Sequence, residues 1–371
     1  MEKIFNSVYK GKKVLVTGHT GFKGSWLTSW LIMLGAEVIG YSLEPPSEPN
    51  LFKVNKLGEN ITHIIGDVRD EEHLFKIFKK YKPEFVFHLA AQSLVRFSYR
   101  KPKLTYETNV IGTVNVLEAA RSIKSVKVCM IITSDKCYEN KEWLFGYRET
   151  DPVGGYDPYS SSKGCTELVV TSYRMSFLNP DDYGKKHQTA LSSVRAGNVI
   201  GGGDWGEDRL IPDCVKALSQ NRKILIRYPK AIRPWQFVLE PLSGYLRLGA
   251  LMYQNGNKFS DAWNFGPLDN DTLTVEQVTK KAIKLWGGGE LEIRQNSKYH
   301  ESKLLKLDIS KACFCLKWKP VYKVDEAIEK TMAWYNKFYK EKINMHKFTL
   351  KQIGEYVKNA EKHGIEWSLP V

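Results

Sequence analysis

The chain is poor in cysteine, with six in 371 residues and no Cys-x-x-Cys pair. That is too sparse for a disulfide framework. Cys313 and Cys315 stand two apart with no histidine at zinc-ligand spacing nearby, so no metal site is expected. Long apolar runs are missing too. The best stretch, residues 26–40, is broken by Thr28, Ser29 and Glu37 and falls short of the roughly 18 residues that span a bilayer. The opening Met1-Glu2-Lys3 has no apolar leader core. Internal repeats and low-complexity linkers are absent. These absences exclude disulfide scaffolds, membrane spans and repeat arrays, and the expectation is a cytoplasmic protein without a membrane partner.

What is present describes a folded enzyme-sized chain. Hydrophobic residues make up 42% and aromatics 12%, which excludes disorder. The net charge is +14, but lysine and arginine are mixed with acids, as across residues 70–82. With no basic arm or recognition motif, nucleic acid is not an expected partner. A small anionic substrate is, because a positive cleft concentrates anions.

The first half alternates strand and helix patterns. Apolar runs at residues 13–17 (KVLVT), 37–41, 61–67, 84–89 and 126–133 read as strands. Residues 22–34, 71–81 and 104–123 read as helices between them. Continuous apolar strands with helices interposed predict an α/β fold, a doubly wound parallel (Rossmann) sheet covered on both faces. After about residue 200 the pattern loosens into a smaller α+β C-terminal region, with helices expected at residues 324–339 and 350–361. The lysine-rich stretch after residue 340 carries no readable function.

Gly18-His-Thr-Gly21-Phe-Lys-Gly24 follows the first strand and opens a helix. In that context the glycines allow a tight turn and close approach to a pyrophosphate, with the helix N-terminus facing the anion. Phe22 and Lys23 belong to the same loop. Dinucleotide binding is therefore predicted. The residues after strand two, Tyr41-Ser42-Leu43-Glu44, lack an acid at the usual ribose-binding place, and on these residues alone NADP stays open beside NAD.

Tyr159-Ser-Ser-Ser-Lys163 places a phenol and an ammonium on one helix face. A nearby ammonium favours phenolate, so the tyrosine is expected to be tuned downward as a base. Thr133-Ser134-Asp135-Lys136 ends strand five, where ligands bind in such sheets. Asp135 and Lys136 add an acid and a base beyond what a simple oxidation needs, which implies a further proton transfer.

The glycine spacing GxxGxxG resembles that of extended short-chain dehydrogenases/reductases. Longer motifs sharpen the likeness. VLVTGHTGFKGSWL, HLAAQSLVR, TSDKCYENKEW, GYRE, DPYSSSK, RAGNVIGGGDW, DRLIPD, RPWQFVLEPLSGYL and WNFGP, spread over about residues 10–336, resemble the CDP-glucose 4,6-dehydratases. The related dTDP-glucose enzymes carry Asp-Glu where this chain has Asp135-Lys136, a departure that fits the CDP-sugar branch.

The resemblance implies NAD as cofactor, CDP-glucose as substrate and a homodimer through helices at residues 104–123 and 158–175. It implies that residues 1–200 bind NAD, with segments at about 230–265 returning to that unit, and that residues 201–371 mainly bind the nucleotide sugar. Cofactor contacts are implied at Gly18, Gly21, Phe22, Lys23, Gly24, Ser42, Asp67, Val68, Leu89, Ala90, Ala91, Gln92, Asn109, Tyr159 and Lys163. Substrate contacts are implied at Ser134, Asn198 and His300, while Arg209 and Arg233 are expected as diphosphate ligands because guanidinium forks suit phosphate, and Arg96 as a contact to sugar or phosphate.

Catalysis would fall to Ser134, Asp135, Lys136, Tyr159 and Lys163. Tyr159 takes the C4 hydroxyl proton as hydride leaves C4. Lys136 removes the C5 proton, Asp135 protonates the departing C6 hydroxyl, and hydride returns to C6. Trp205 and Trp235 fit either a nucleotide pocket or the core. Rival readings are an epimerase or reductase of the same fold, and a dinucleotide-sensing regulator. Asp135-Lys136 argues against the first, and the intact serine, tyrosine and lysine against the second.

Overall fold

In the computed structural model, residues 1, 3–269, 271–294 and 304–369 are described. The apolar runs form the strands β1 (Lys13–Thr17), β2 (Glu37–Ser42), β3 (Thr62–Ile65), β4 (Phe85–His88) and β5 (Val128–Ile132), joined by β6 (Ala190–Ala196) and β7 (Ala262–Phe265). They lie in the order β7-β6-β5-β4-β1-β2-β3, and every neighbouring pair is parallel. β5 is buried along its whole length, as a strand covered on both faces must be. The chain runs outward from β1 to β3 and then crosses to β4 on the other side of β1. Thr17 pairs with His88 at that switch point, and the loops leaving β1 and β4 part there to open a crevice.

Local sequence explains the flanking helices. α1 spans Phe22–Met33 and α2 spans Glu71–Tyr81. Asp70 caps α2 by accepting from the His73 amide, and Leu74, Ile77 and Phe78 face the core. α3 (Val95–Arg100) and α4 (Gly112–Ser122) follow β4. The helix expected over 104–123 opens into a π turn at Glu107–Ile111. The Asn109 side chain, which bonds two other segments there, accounts for the widened turn. α5 (Pro158–Ser176) has Pro158 at its first position and Asp157 accepting from the Ser160 amide at 3.0 Å.

The second half shares the core of the first. α7 (Leu239–Asn255) is buried for most of its length, while α6 (Leu210–Ser219), α8 (Val275–Trp286) and α9 (Val324–Asn336) cover short strand pairs beyond the sheet. The last helix, α10, runs over Met345–Lys362, because Asn344 caps it earlier than the periodicity at residue 350 suggested. It returns to α1. Tyr356 meets Trp30 edge-on at 5.8 Å, and Trp367 stacks on Phe5 at 4.9 Å. One apolar cluster therefore joins Trp26 and Trp30 to Trp318, Trp334 and Tyr356. A second, with Leu15, Phe78, Leu117 and Cys129, fills the other face of the sheet. Among the described residues, no helix is long and apolar enough to cross a membrane.

Candidate active site

The crevice is built from the first βα turn. Gly18 has a φ of +74°, and a Cβ on it would lie 2.7 Å from the Ala90 amide nitrogen. A Cβ on Gly24 would lie 2.1 Å from the Gly18 carbonyl oxygen. The turn, α1 and the end of β4 thus meet with backbone against backbone. Gly21 precedes α1, and no side chain caps the helix's first amides. Those amides are left for an anion, so the loop fits a dinucleotide pyrophosphate. Leu89, Ala90, Ala91 and Gln92 form the opposite wall, each half-buried.

Farther out, Ser42 hydrogen-bonds Thr20 at 2.8 Å. Asp67 is clasped by Arg69 through bonds of 2.5 to 3.1 Å, and Val68 is buried behind it. Burial works against the Asp67 carboxylate, yet Arg69 keeps it below the usual range.

Asn109 holds the wall to α5. Its amide donates to the Gln92 carbonyl at 3.0 Å and to Ser162 Oγ at 2.8 Å, and its Oδ1 accepts from the Gln92 amide at 2.8 Å. Ser162 Oγ in turn donates to the Tyr159 carbonyl at 2.7 Å. Asn109 therefore acts on Tyr159 through the α5 backbone, and its side-chain bonds go to Gln92 and Ser162.

Tyr159, Lys163, Ser134 and Asp135 are all buried in the crevice. Ser134 donates to Asp135 Oδ1 at 2.9 Å and stands close enough to the Tyr159 phenol to favour its charged form. Lys163 Nζ donates to the Ile132 carbonyl at 3.2 Å. The expected downward tuning of the phenol is not what the protein alone produces. Burial pushes Tyr159 up to about 12, with Ser134 pulling the other way. Lys163 is spent on strand β5, which is the physical reason for the difference. Burial, with the Lys23 charge, brings the Lys163 ammonium down to about 8.

Burial also raises the Asp135 carboxyl above its ordinary range, against the charge of Lys136. A neutral Asp135 can donate a proton. Lys136 follows it in a one-turn 3-10 helix, Asp135–Cys137, and is half-buried. A Cβ on Gly197 would lie 3.3 Å from Asp135 Oδ2, so the backbone just before Asn198 passes against the acid. Arg233 adds a positive charge facing Asp135 and donates to the Ile232 carbonyl at 3.0 Å.

Three positions are more entangled than the sequence suggested. Arg209 donates to both Asp204 oxygens at 2.9 and 3.0 Å and to Ser93 Oγ at 3.0 Å. Arg96 donates to Asp208 at 2.8 Å. Lys23 carries a charge coupled to the same cluster: burial and the Arg209 charge bring its ammonium down to about 8, with Asp135 opposing. Asp204, in the GGGDW motif, is not among the expected site residues, and its contact with Arg209 is what brings it to the crevice. Trp205 and Trp235 pack inward, Trp205 against Trp334 and Phe338, and Trp235 with its indole donating to the Leu273 carbonyl. His300 lies outside the described residues.

A hydroxyl, a phenol and an ammonium at the C-terminal edge of a dinucleotide-binding sheet define an extended short-chain dehydrogenase/reductase. Solved structures share the fold. UDP-glucose 4-epimerase from Thermotoga maritima superposes with a TM-score of 0.76 at 24% identity, over 88% of this chain and all of that one. dTDP-glucose 4,6-dehydratase from Bacillus anthracis gives 0.72 at 21% identity, over 88% and 97%. In sequence, CDP-glucose 4,6-dehydratase of Salmonella typhimurium is 50% identical over 333 residues, covering 90% of this chain and 92% of that protein. The family model described as GDP-mannose 4,6 dehydratase matches residues 15–331. The chain belongs to this family of nucleotide-sugar 4,6-dehydratases.

Proposed function

We propose that the chain is a CDP-glucose 4,6-dehydratase, a hydro-lyase that converts CDP-glucose to CDP-4-dehydro-6-deoxyglucose. The nucleotide rests on the 50% identity to the Salmonella enzyme. The reaction rests on one observation, a buried, neutral-leaning Asp135 hydrogen-bonded to the hydroxyl that serves Tyr159. An oxidation followed by epimerisation has no use for a proton donor at C6, whereas elimination of water does.

Gly18, Gly21 and Gly24 would hold NAD, which would supply the hydride acceptor for C4 and the hydride donor for C6. The residues do the rest. Tyr159 takes the C4 hydroxyl proton while Ser134 hydrogen-bonds the same oxygen. Arg209 supplies positive charge that offsets the cost of a buried phenolate, and Lys163 would hold the nicotinamide ribose. The C4 ketone acidifies the C5 proton, which Lys136 removes. Asp135 protonates the C6 hydroxyl, which departs as water, and C5 regains a proton after hydride returns. Asn198, Arg96, Arg209 and Arg233 face the sugar and diphosphate. A phosphate oxygen competes well for such guanidinium forks, so Asp204 and Asp208 hold the arginines in place until substrate arrives.

The active form in this reading is a homodimer. Ile111 on the π turn, and Leu168 and Met175 two turns apart on α5, are each more than half exposed, an apolar face that a second copy would cover. Leu168→Glu with Met175→Glu should give a monomer by light scattering, and a double variant still dimeric would reject this face. A cytoplasmic setting accords with six free thiols.

The reaction is tested by mass spectrometry of CDP-glucose, dTDP-glucose and GDP-mannose incubated separately with the protein and NAD. Loss of one water from CDP-glucose alone is expected. Isomerisation without that loss would replace the reading with an epimerase.

A further inference from the structure

Several motif residues of the second half do not reach the crevice. Arg195 of the RAGNV motif and Asn264 of WNFGP turn inward and meet under the strand end that carries Ser134 and Asp135. At the centre is Glu167, which neither the family motifs nor the reaction uses. Its Oε2 accepts from Arg195 Nη2 at 2.8 Å and from Ser193 Oγ at 2.7 Å. Its Oε1 accepts from the Thr133 hydroxyl. Arg195 Nη1 donates to the Tyr138 hydroxyl at 2.6 Å, and its guanidinium stands 4.8 Å from that ring. The Tyr138 hydroxyl donates to Asn264 Oδ1 at 2.8 Å, and Asn264 Nδ2 donates to the Tyr147 and Asp308 carbonyls at 2.8 and 3.1 Å.

The side chains of Arg195 and Glu167 are 4% and 2% exposed. A buried ion pair contributes little net stability, because desolvation offsets its attraction. What a fully bonded buried network does supply is one defined arrangement. Here the network grips both ends of the acid–base turn, since Thr133 immediately precedes Ser134 and Tyr138 immediately follows Asp135–Cys137. Glu167 sits one helical turn beyond Lys163, on the same face of α5.

We propose that Glu167 is a positioning residue: neutralised by Arg195, its carboxylate pins Thr133 and α5 to one point and so sets the separation between Ser134–Asp135 and Tyr159–Lys163. A second effect follows from the same placement. Burial opposes the Glu167 charge, yet Arg195 and three hydrogen bonds keep it below the usual carboxylate range. That anion favours the charged form of Lys163.

The inference rests on the acid–base reading above, so turnover of CDP-glucose by the wild-type protein is measured first; its absence would sink that reading alone. In an active protein, Thr133→Val removes the hydroxyl without changing side-chain shape, and Thr133→Ser keeps it. Misplacement by a fraction of an ångström should lower kcat in Thr133→Val by about 10- to 100-fold, with KM and Tm nearly unchanged and Thr133→Ser close to wild type. In Glu167→Gln the alkaline limb of nicotinamide reduction, the step ahead of the Asp135-dependent elimination, should move to lower pH, because Lys163 loses an anion that favours its charged form. Should Glu167→Gln fail to fold, the Thr133 pair decides. Wild-type kcat in Thr133→Val, or a loss that Thr133→Ser does not restore, would overturn the proposal.

Discussion

Replacing Asp135 with asparagine separates the two halves of the reaction. The change is nearly isosteric and keeps a hydrogen-bond acceptor for Ser134, which now donates to Asp135 at 2.9 Å. Asparagine also carries no charge, so it resembles the neutral carboxyl that burial favours at this position. Packing and oxidation at C4 should therefore survive. What is lost is the transferable proton. General acid catalysis is worth about 10²- to 10⁴-fold, or about 3 to 5 kcal/mol of barrier. Asp135→Asn should lower overall turnover by that factor while leaving the first half-reaction within a few-fold of wild type.

Stopped-flow absorbance of the nicotinamide separates these steps. Reduction should appear at near-normal rate and persist, because elimination no longer follows. The pH dependence has a definite sign. In the wild type the active form is the protonated acid, so elimination slows as pH rises through the elevated Asp135 value, and Asp135→Asn lacks that dependence. Turnover within about three-fold of wild type would refute Asp135 as the acid. Loss of the reduction step itself would refute the separation of roles.

Tyr159→Phe should abolish nicotinamide reduction while the fold, judged by thermal unfolding, changes by only about 1 kcal/mol, the net worth of one hydrogen bond. Unfolding, or reduction that persists, would contradict the assignment. Gly24→Ala introduces a methyl 2.1 Å from the Gly18 carbonyl oxygen; the turn must shift, and NAD affinity measured by calorimetry should fall at least about ten-fold, with about 1 to 3 kcal/mol of stability lost to overpacking. Glu240 is fully buried under the Val321 and Tyr322 amides, and burial raises its carboxyl to about 7. A raised acid stabilises the fold below its unfolded value and loses that contribution as pH rises. Wild-type stability should therefore fall by about 3 kcal/mol between pH 4.5 and 7, a slope that denaturant titrations should find missing in Glu240→Gln.

The parts of this molecule governed by local rules were legible in the sequence. Valine-rich β1, the glycine turn after it and the Tyr159–Lys163 pair each follow from spacing and backbone sterics, and each stands where the pattern put it. Electrostatics was harder to read. Lys163 was expected to act on Tyr159, but its proton goes to the Ile132 carbonyl, a partner 31 residues away in sequence. Arg209 reads as a diphosphate ligand, and only the fold shows Asp204 and Ser93 against it. The lysine-rich stretch after residue 340 reads as a helix at residues 350–361 with no readable role. Its buried residues, Ile353, Tyr356 and Trp367, face a groove on α1 that no sequence window contains. The π turn at Glu107–Ile111 is likewise set by what Asn109 reaches across space.

The central claim is that one site oxidises C4, expels water across C5 and C6, and returns the same hydride to C6. CDP-glucose deuterated at C4, converted in ordinary water and again unlabelled in heavy water, tests it most directly by mass spectrometry and NMR of the product. The account predicts that the C4 deuterium appears at C6 of a product lighter by one water, and that heavy water places one deuterium at C5. Retention of the label at C4, or a product of unchanged composition, would contradict it.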